Sequence, residues 1–205
     1  LFRSGYAARP EPGPPDVRAL RERLGLAGRT LVSFVGSWGA TYDLGLLDET
    51  ARALAHRQDL ALVIAGDSDS RPELRDRLAK LNNVVLAGWL GADDIAWLLS
   101  ASAIGQLPYR AKAPQGLPNK VFEYMAYGAY QIATLKGEIE GFYAGTGAGR
   151  IAGATPDVLA QAIETALPEA ADPVARAARI ARFHHSYSAD AVYGAMVDHI
   201  ELVAR

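Results

Sequence analysis

The sequence has no cysteine, only two methionines among 205 residues, and no apolar run long enough to cross a bilayer. Without thiols, disulfide bonds, thiolate catalysis and cysteine-ligated zinc are excluded. A membrane-spanning helix needs about 20 consecutive apolar residues, so no spanning helix is expected. The segment Leu1 to Pro15 also lacks the apolar stretch of a secretory signal. These absences favour a cytoplasmic protein, and they leave peripheral contact with the inner membrane open for a longer chain.

Charges of the two signs almost cancel. Twenty-one basic and 23 acidic side chains give a net charge of -2. No basic field therefore attracts nucleic acid, and no nucleic-acid partner is expected. Half of the residues are apolar, which is typical of a globular domain with one sizeable core. A P-loop with its Lys-Ser/Thr pair is missing, which argues against an NTPase.

Apolar runs alternate with amphipathic segments from residue 30 onward. Uniformly apolar runs indicate strands buried on both faces, and here they cover residues 31–35, 60–65, 84–87, 103–107, 130–135 and, more briefly, 150–152. Helical spacing covers residues 43–56, 71–81, 92–100, 118–127, 156–167, 173–184 and 189–204. This alternation predicts right-handed βαβ units in an α/β fold, a doubly wound, parallel, Rossmann-like sheet with extra C-terminal helices.

The residues before this pattern differ in composition. Residues 9–15 carry four prolines, which a helix interior does not accommodate. A short helix is predicted over residues 17–24, closed by Gly25. We therefore predict that residues 1–29 are a linker and short helix from an interdomain region, and that residues 30–205 form one domain.

Glycines follow the predicted strands where a ligand would bind, because open parallel sheets bind ligands outside the carboxyl ends of their strands. Glycine also serves ordinary βα turns, so each turn alone is explained equally well by chain geometry. Trp38 and Trp89 lie at this edge and are predicted to stack on a base, whereas Trp97 is predicted to be core. The segment Asp67-Ser-Asp69 fits a turn better than a metal site, and no metal is expected.

The most informative stretch is Gln115-Gly-Leu-Pro-Asn-Lys-Val-Phe-Glu-Tyr-Met-Ala-Tyr-Gly128. Pro118 suits the first turn of a helix. The free amides at Leu117 to Asn119 would attract a phosphate, and Glu123 could accept hydrogen bonds from ribose hydroxyls. On physics alone, a Glu123 that favours the helix dipole and a solvated Lys120 explain the pattern at least as well.

Leu117 to Gly128 resembles the signature of the group 1 (family 4) glycosyltransferases of the GT-B fold. The order of Phe34-Val-Gly36, Val63-Ile-Ala-Gly66, Val85 to Leu90 and Gln106 to Tyr109 is also similar. The resemblance implies a C-terminal domain that binds a UDP- or GDP-linked sugar for a retaining transfer, without a further cofactor. It also implies a partner, an acceptor-binding N-terminal domain that this chain lacks, and hence little activity of the chain alone.

The resemblance also implies roles for single residues. Glu123 takes the position of the second glutamate in the family's paired motif and would hold the ribose. Gln115 stands where the first glutamate contacts the donor sugar. The backbone of Gly88 to Leu90 would meet the base, and Gly36 would let the backbone approach the diphosphate. Gln115, Lys120 and Glu123 are the candidate catalytic residues, and the rest of the predicted donor site is Ser37, Trp38, Trp89, Arg110, Gly116, Leu117, Pro118, Asn119 and Lys120.

Two departures from the family pattern concern charge. Gln115 keeps an acceptor oxygen but loses the negative charge. Ser37 and Tyr42-Asp43 stand where many members carry an Arg and a Lys that neutralise the diphosphate. Lys120, Arg110, Lys112 and the helix N-terminus are the remaining candidates for that task. These departures keep two alternatives open, a non-catalytic nucleotide-binding module on the same fold and a nucleotide-sugar epimerase.

Overall fold

The computed structural model describes residues 5–10, 13–26, 28–66 and 69–204. The strands in these residues are β1 (Thr30–Val35), β2 (Leu60–Ala65), β3 (Val84–Gly88), β4 (Ser102–Leu107), β5 (Tyr130–Ala133) and β6 (Gly149–Ile151). The helices are α1 (Pro14–Arg23), α2 (Leu44–Ala53), α3 (Pro72–Leu78), α4 (Ala92–Ala101), α5 (Asn119–Ala126), α6 (Glu138–Thr146), α7 (Pro156–Ala171), α8 (Pro173–Ser186) and α9 (Ala189–Val203). In this part of the chain, no helix combines the length and the apolar character needed to span a membrane.

The strands form one parallel sheet in the order β3-β2-β1-β4-β5-β6. The predicted doubly wound parallel sheet is thus confirmed. The chain runs outward from β1 in one direction and outward from β4 in the other. These two strands are neighbours, so the connections that follow them diverge and leave a crevice at their carboxyl ends.

The inner strands are buried on both faces, as the sequence predicts, whereas the edge strands β3 and β6 are only half-buried. Every residue of β2 and of β4 is buried. One face of the sheet packs mainly against α4 and α5, and the other packs against α2 and α7. Burial on both faces fixes the ends of the central strands, and these ends carry the loops that form the site.

Tyr124 fixes α5 against the two central strands. Its side chain is fully buried, and its hydroxyl accepts a hydrogen bond from the amide of Val35 (2.9 Å) and donates one to the carbonyl of Gln106 (3.4 Å). Gly105 makes room for the ring, since a Cβ atom there would lie 2.2 Å from it. The start of α5 is therefore held at a defined distance from the ends of β1 and β4.

The residues before β1 pack onto the sheet domain. Leu20 and Leu26 are buried in the same core as α4 and α5. The amide of Tyr6 donates to the carbonyl of Tyr187, and the Tyr6 carbonyl accepts from the amide of Ala189. The boundary at residues 29 and 30 stays a prediction, but the segment on its N-terminal side contacts the domain extensively.

Helix α6 is an addition to the predicted elements, since the sequence analysis predicts no helix between residues 135 and 150. Ile139 and Tyr143 are buried on the inner face of this helix. The amide of Gly137 donates to Glu140 (2.8 Å) at its start, and Gly147 ends it in the left-handed conformation. Helix α7 also runs past its predicted end at residue 167, with Pro168 inside the helix.

Candidate functional site

A cavity of about 190 Å³ opens at the carboxyl ends of β1, β2 and β3. The side facing the sheet comes from the strand ends and the turns that follow them, and α4 and α5 contribute the opposite side. The lining residues are Val35, Gly36, Ser37, Ala65, Gly66, Trp89, Leu90, Ile95, Lys120 and Glu123. The cavity therefore brings together six of the predicted site residues: Gly36, Ser37, Trp89, Leu90, Lys120 and Glu123.

Gly36 and Gly66 bring main chain to the floor of the cavity, where the turns after three strands lie directly against one another. The amide of Gly36 donates to Ala65 (3.0 Å), and the amide of Gly66 donates to Gly88 (2.8 Å). Gly66 has φ 141°, and a Cβ atom there would lie 1.9 Å from the carbonyl oxygen of Gly36. Gly88, a predicted site residue that does not itself line the cavity, has φ 67°, a left-handed conformation that side chains disfavour. The two glycines that do line the cavity, Gly36 and Gly66, let a ligand approach the main chain closely.

Lys120 and Glu123 face the cavity from the first turn and a half of α5. The Lys120 Nζ lies 3.1 Å from the Glu123 Oε2, and the two side chains are only 16% and 18% exposed. The Lys120 Nζ also lies 5.7 Å from the ring centre of Tyr124. The alternative explanation from the sequence, a solvated Lys120 and a Glu123 that only complements the helix dipole, does not fit these positions. Both side chains are largely withdrawn from water and lie beside a hollow.

Helix α5 begins one residue later than predicted. Pro118 is its N-cap residue in an extended conformation, and no side chain caps the helix there. The first amides of a helix have no partner within it; that of Val121 donates to the carbonyl of Pro118 (3.0 Å), which leaves those of Asn119 and Lys120 for an anion. The polar start of this helix therefore combines available N–H groups with the ammonium group of Lys120.

Tyr6 was missed by the sequence analysis, yet it lies within hydrogen-bonding reach of Glu123 and Tyr127. Burial first, and then the negative charge of Glu123, raise the pKa of the Tyr6 hydroxyl well above its usual value. Tyr6 is therefore a neutral donor at neutral pH. Its ring also makes an edge contact with Phe183 at 6.1 Å. The segment predicted to be a linker thus contributes a side chain next to the carboxylate of Glu123.

The three tryptophans occupy different environments. Trp38 is only 4% exposed and packs with Phe34, Leu47 and Ile64 in the core, so its side chain cannot stack on a base as predicted. Trp89 is 79% exposed at the rim of the cavity, where its ring is available to a ligand. Trp97 is partly buried against the core, in agreement with the prediction.

Arg110 does not line the cavity that contains Glu123. Its Nε donates to the carbonyl of Tyr42 (3.2 Å), and its side chain lines a separate hollow. The prediction that Arg110 shares a site with Glu123 is wrong for this conformation, because the Nε contact directs the guanidinium to the other hollow. Lys112 is exposed on the turn that follows.

The remaining predicted residues lie on the loop before α5, outside the cavity lining. Gln115, Gly116 and Asn119 are exposed, Leu117 is half-buried and Pro118 is buried. The carbonyl of Gly116 accepts a hydrogen bond from Ile139 (3.2 Å), which ties this loop to the start of α6. A role of Gln115 toward a donor sugar stays a prediction.

Asp67 and Ser68 lie outside the described residues, so the preference for a turn over a metal site there stays a prediction. Within the ranges that the structure describes, no group of three or more histidine and carboxylate side chains has the arrangement of a metal site. The expectation that the donor site works without a metal likewise stays a prediction.

An all-parallel sheet in this strand order, with a hollow at the carboxyl ends of β1, β2 and β3, defines a Rossmann-like class of domain. Residues 29–169 match the sequence profile of the glycosyl transferases group 1 family. The chain therefore belongs to this family. No curated protein matches the sequence significantly.

Solved structures of glycosyltransferases share this fold. A glycosyltransferase from Rickettsia africae ESF-5 has a TM-score of 0.75 and 18% identity, with 95% of this chain and 53% of that chain covered. Anabaena Alr3699/HepE in complex with UDP-glucose has a TM-score of 0.77 and 19% identity, with 98% of this chain and 56% of that chain covered. This chain thus spans about half the length of either protein and has the architecture of one GT-B domain.

Proposed function

We propose that this chain is the donor-binding domain of a retaining glycosyltransferase, which moves a sugar from a nucleoside-diphosphate sugar to an acceptor. The observation that carries this proposal is the shared cavity in which Lys120 and Glu123 of α5 face the glycine floor at the ends of β1, β2 and β3. One hollow thereby offers a carboxylate for the ribose, an ammonium group for the diphosphate, and glycine main chain that the diphosphate can approach closely.

Each part of a nucleotide has a chemical counterpart around this cavity. The exposed ring of Trp89 and the side chain of Leu90 suit the flat face of a base. The carboxylate of Glu123 suits the two ribose hydroxyls, which both donate hydrogen bonds. The ammonium group of Lys120 and the first amides of α5 suit the diphosphate.

The ion pair between Lys120 and Glu123 would rearrange when such a ligand binds. The ribose hydroxyls would replace the lysine as partners of Glu123, and Lys120 would turn to the diphosphate. In the transfer, the bond between the anomeric carbon and the phosphate oxygen breaks, and its electron pair stays on the nucleotide. The acceptor oxygen forms the new bond, and its proton passes to the oxygen of the departing diphosphate. Lys120 would stabilise the charge that develops on the departing diphosphate.

The acceptor and the groups that orient it belong to a further domain under this proposal. The share of the related structures that this chain covers, 53% and 56%, supports such a domain. We therefore expect the isolated chain to bind nucleotide and to transfer little or no sugar. Because the Anabaena structure is a complex with UDP-glucose, this sugar nucleotide is the first probe to test.

A non-catalytic nucleotide-binding module is the second candidate. The position of Arg110 favours it, because that guanidinium lies in another hollow and Lys120 is the cationic side chain of the described cavity lining. Ser37 adds no charge to this lining. An assay of sugar transfer by the chain joined to an acceptor-binding domain separates the two candidates. A non-catalytic module would bind the nucleotide sugar there but would not cleave the bond between sugar and nucleotide.

Calorimetric titration with UDP-glucose and GDP-glucose tests the binding half of the proposal. We expect Glu123→Ala to weaken binding by about 1–3 kcal/mol, because charge-assisted hydrogen bonds to the ribose are lost. Glu49→Ala is the matched control, since Glu49 is exposed on α2 and does not line the cavity. Equal affinity of the Glu123→Ala variant and the unchanged chain would remove this carboxylate from the site.

A further inference from the structure

A second hollow, of about 450 Å³, lies beside the donor cavity and shares no lining residue with it. The segment between β1 and α2 contributes to both hollows, with Gly36 and Ser37 in the first and Asp43 in the second. The other side of the second hollow is formed by the start of α3 and by Arg110. A ligand in this hollow and a nucleotide in the donor cavity would both contact the segment between β1 and α2, but through different residues of it.

Two arginines in this hollow are anchored by the same main-chain segment. The Nε of Arg71 donates to the carbonyl of Trp38 (3.1 Å), and the Nε of Arg110 donates to the carbonyl of Tyr42 (3.2 Å). A guanidinium held through its Nε keeps one orientation and presents both terminal nitrogens as a donor fork. Because Trp38 is buried in the core, the carbonyl that anchors Arg71 belongs to a firmly held residue.

The second hollow is lined by the carboxylates of Asp43 and Glu73 as well as by three guanidinium groups. A third arginine, Arg77, is already paired with the buried carboxylate of Asp48 (2.9 Å). Asp43 uses its Oδ1 to cap α2. Among the described residues, neither Arg71 nor Arg110 has a carboxylate within ion-pair distance. Two oriented guanidiniums without a carboxylate partner are suited to an external anion.

We propose that this second hollow binds the phosphate group of a phosphate monoester, held between the forks of Arg71 and Arg110. A tetrahedral dianion has enough oxygen atoms to accept from both guanidiniums, and the charge of Arg77 adds to the attraction. The site goes beyond the proposed donor binding, and it is occupied independently of the nucleotide. The phosphate belongs either to a soluble ester or to the headgroup of a phospholipid.

Nuclear magnetic resonance titration with glycerol 3-phosphate tests the site on the chain as it is. We expect the amide resonances of residues 38–46 and 71–77 to shift, both in the free chain and in the chain saturated with UDP. Arg71→Ala and Arg110→Ala are each expected to weaken the binding roughly tenfold, because one donor fork is lost. Arg71→Lys keeps the charge but loses the fork, so it should also bind more weakly.

The control variant is Arg75→Ala, because Arg75 lies on the same helix but pairs with Asp69 and Asp76 outside the hollow. It should leave the titration unchanged. The UDP response of each variant shows that the variant is folded, and it tests the donor site separately from the second hollow.

Vesicles that contain phosphatidic acid are the second probe. Binding to these vesicles that needs both arginines, without a response to glycerol 3-phosphate, assigns the phosphate to a lipid. No response to either probe, or a response that survives both substitutions, overturns the proposal.

Discussion

Replacing Gly66 with alanine would place a Cβ atom in the floor of the donor cavity, 1.9 Å from the carbonyl oxygen of Gly36. Ordinary van der Waals contacts of a Cβ atom begin near 3.4 Å, so one of the two turns must move by more than an ångström. Gly66 also has φ 141°, a conformation that costs other residues about 1–3 kcal/mol. Forcing extra volume into a packed site costs a further 1–3 kcal/mol or so.

We therefore expect Gly66→Ala to lower the free energy of unfolding by roughly 2–6 kcal/mol, a large share of the stability of a typical domain. For a chain of this length, the melting temperature would fall by at least about 4 °C. The affinity for a nucleotide sugar would fall as well, because the displaced turns carry Gly36 and Gly66, which line the donor cavity. Denaturant unfolding and calorimetric titration of the same preparation measure both effects.

Two further glycines serve as graded controls for this prediction. Gly88→Ala meets no atom within 4 Å but keeps a left-handed φ of 67°, so only the conformational cost of about 1 kcal/mol applies. Gly141→Ala lies in α6 with open space around it, and a helical alanine should stabilise the chain by about 0.5–1 kcal/mol. If Gly66→Ala proved as stable as Gly88→Ala, the close packing of the turns after β1 and β2 would be refuted.

Two more predictions concern buried tyrosines. Tyr124→Phe should destabilise the chain by about 1–3 kcal/mol in denaturant unfolding, because the buried amide of Val35 loses its partner, whereas the exposed Tyr193→Phe should have no effect. Burial raises the pKa of Tyr124 and Tyr143 well above the usual value near 10, so the contribution of these tyrosines to stability should be constant below about pH 10 and fall at higher pH, as the unfolded chain releases the tyrosine protons first. Base titration with tyrosine absorbance at 295 nm and circular dichroism checks this, and unchanged stability between about pH 10 and pH 12 would contradict it.

The strands and most helices could be predicted because their signals are local. A strand that is buried on both faces is apolar at every position, and β2 shows this without interruption. Helix α6 lacks such a signal, since Gly141 and Gly145 interrupt it and only Ile139 and Tyr143 show the helical spacing of buried residues. Glycine lowers the helix propensity, so only packing against the sheet reveals this helix.

The candidate site could be predicted only in part, because it depends on which way side chains turn after the strands end. Trp38 and Trp89 occupy similar places in sequence, yet the segment after β1 buries Trp38 and the turn after β3 exposes Trp89. Arg110 is directed away from the cavity by a main-chain carbonyl, a contact that no sequence pattern encodes. Tyr6 lies more than a hundred residues from Glu123 in sequence, and only the folded chain brings the two together.

The measurement that tests the central claim most directly is a crystal structure of this chain with UDP-glucose bound. We predict that the ribose hydroxyls lie within hydrogen-bonding distance of the Glu123 carboxylate, the diphosphate beside Lys120 and the start of α5, and the base against Trp89. A nucleotide bound elsewhere on the chain, with the Lys120–Glu123 ion pair intact and the cavity unfilled, would contradict this assignment.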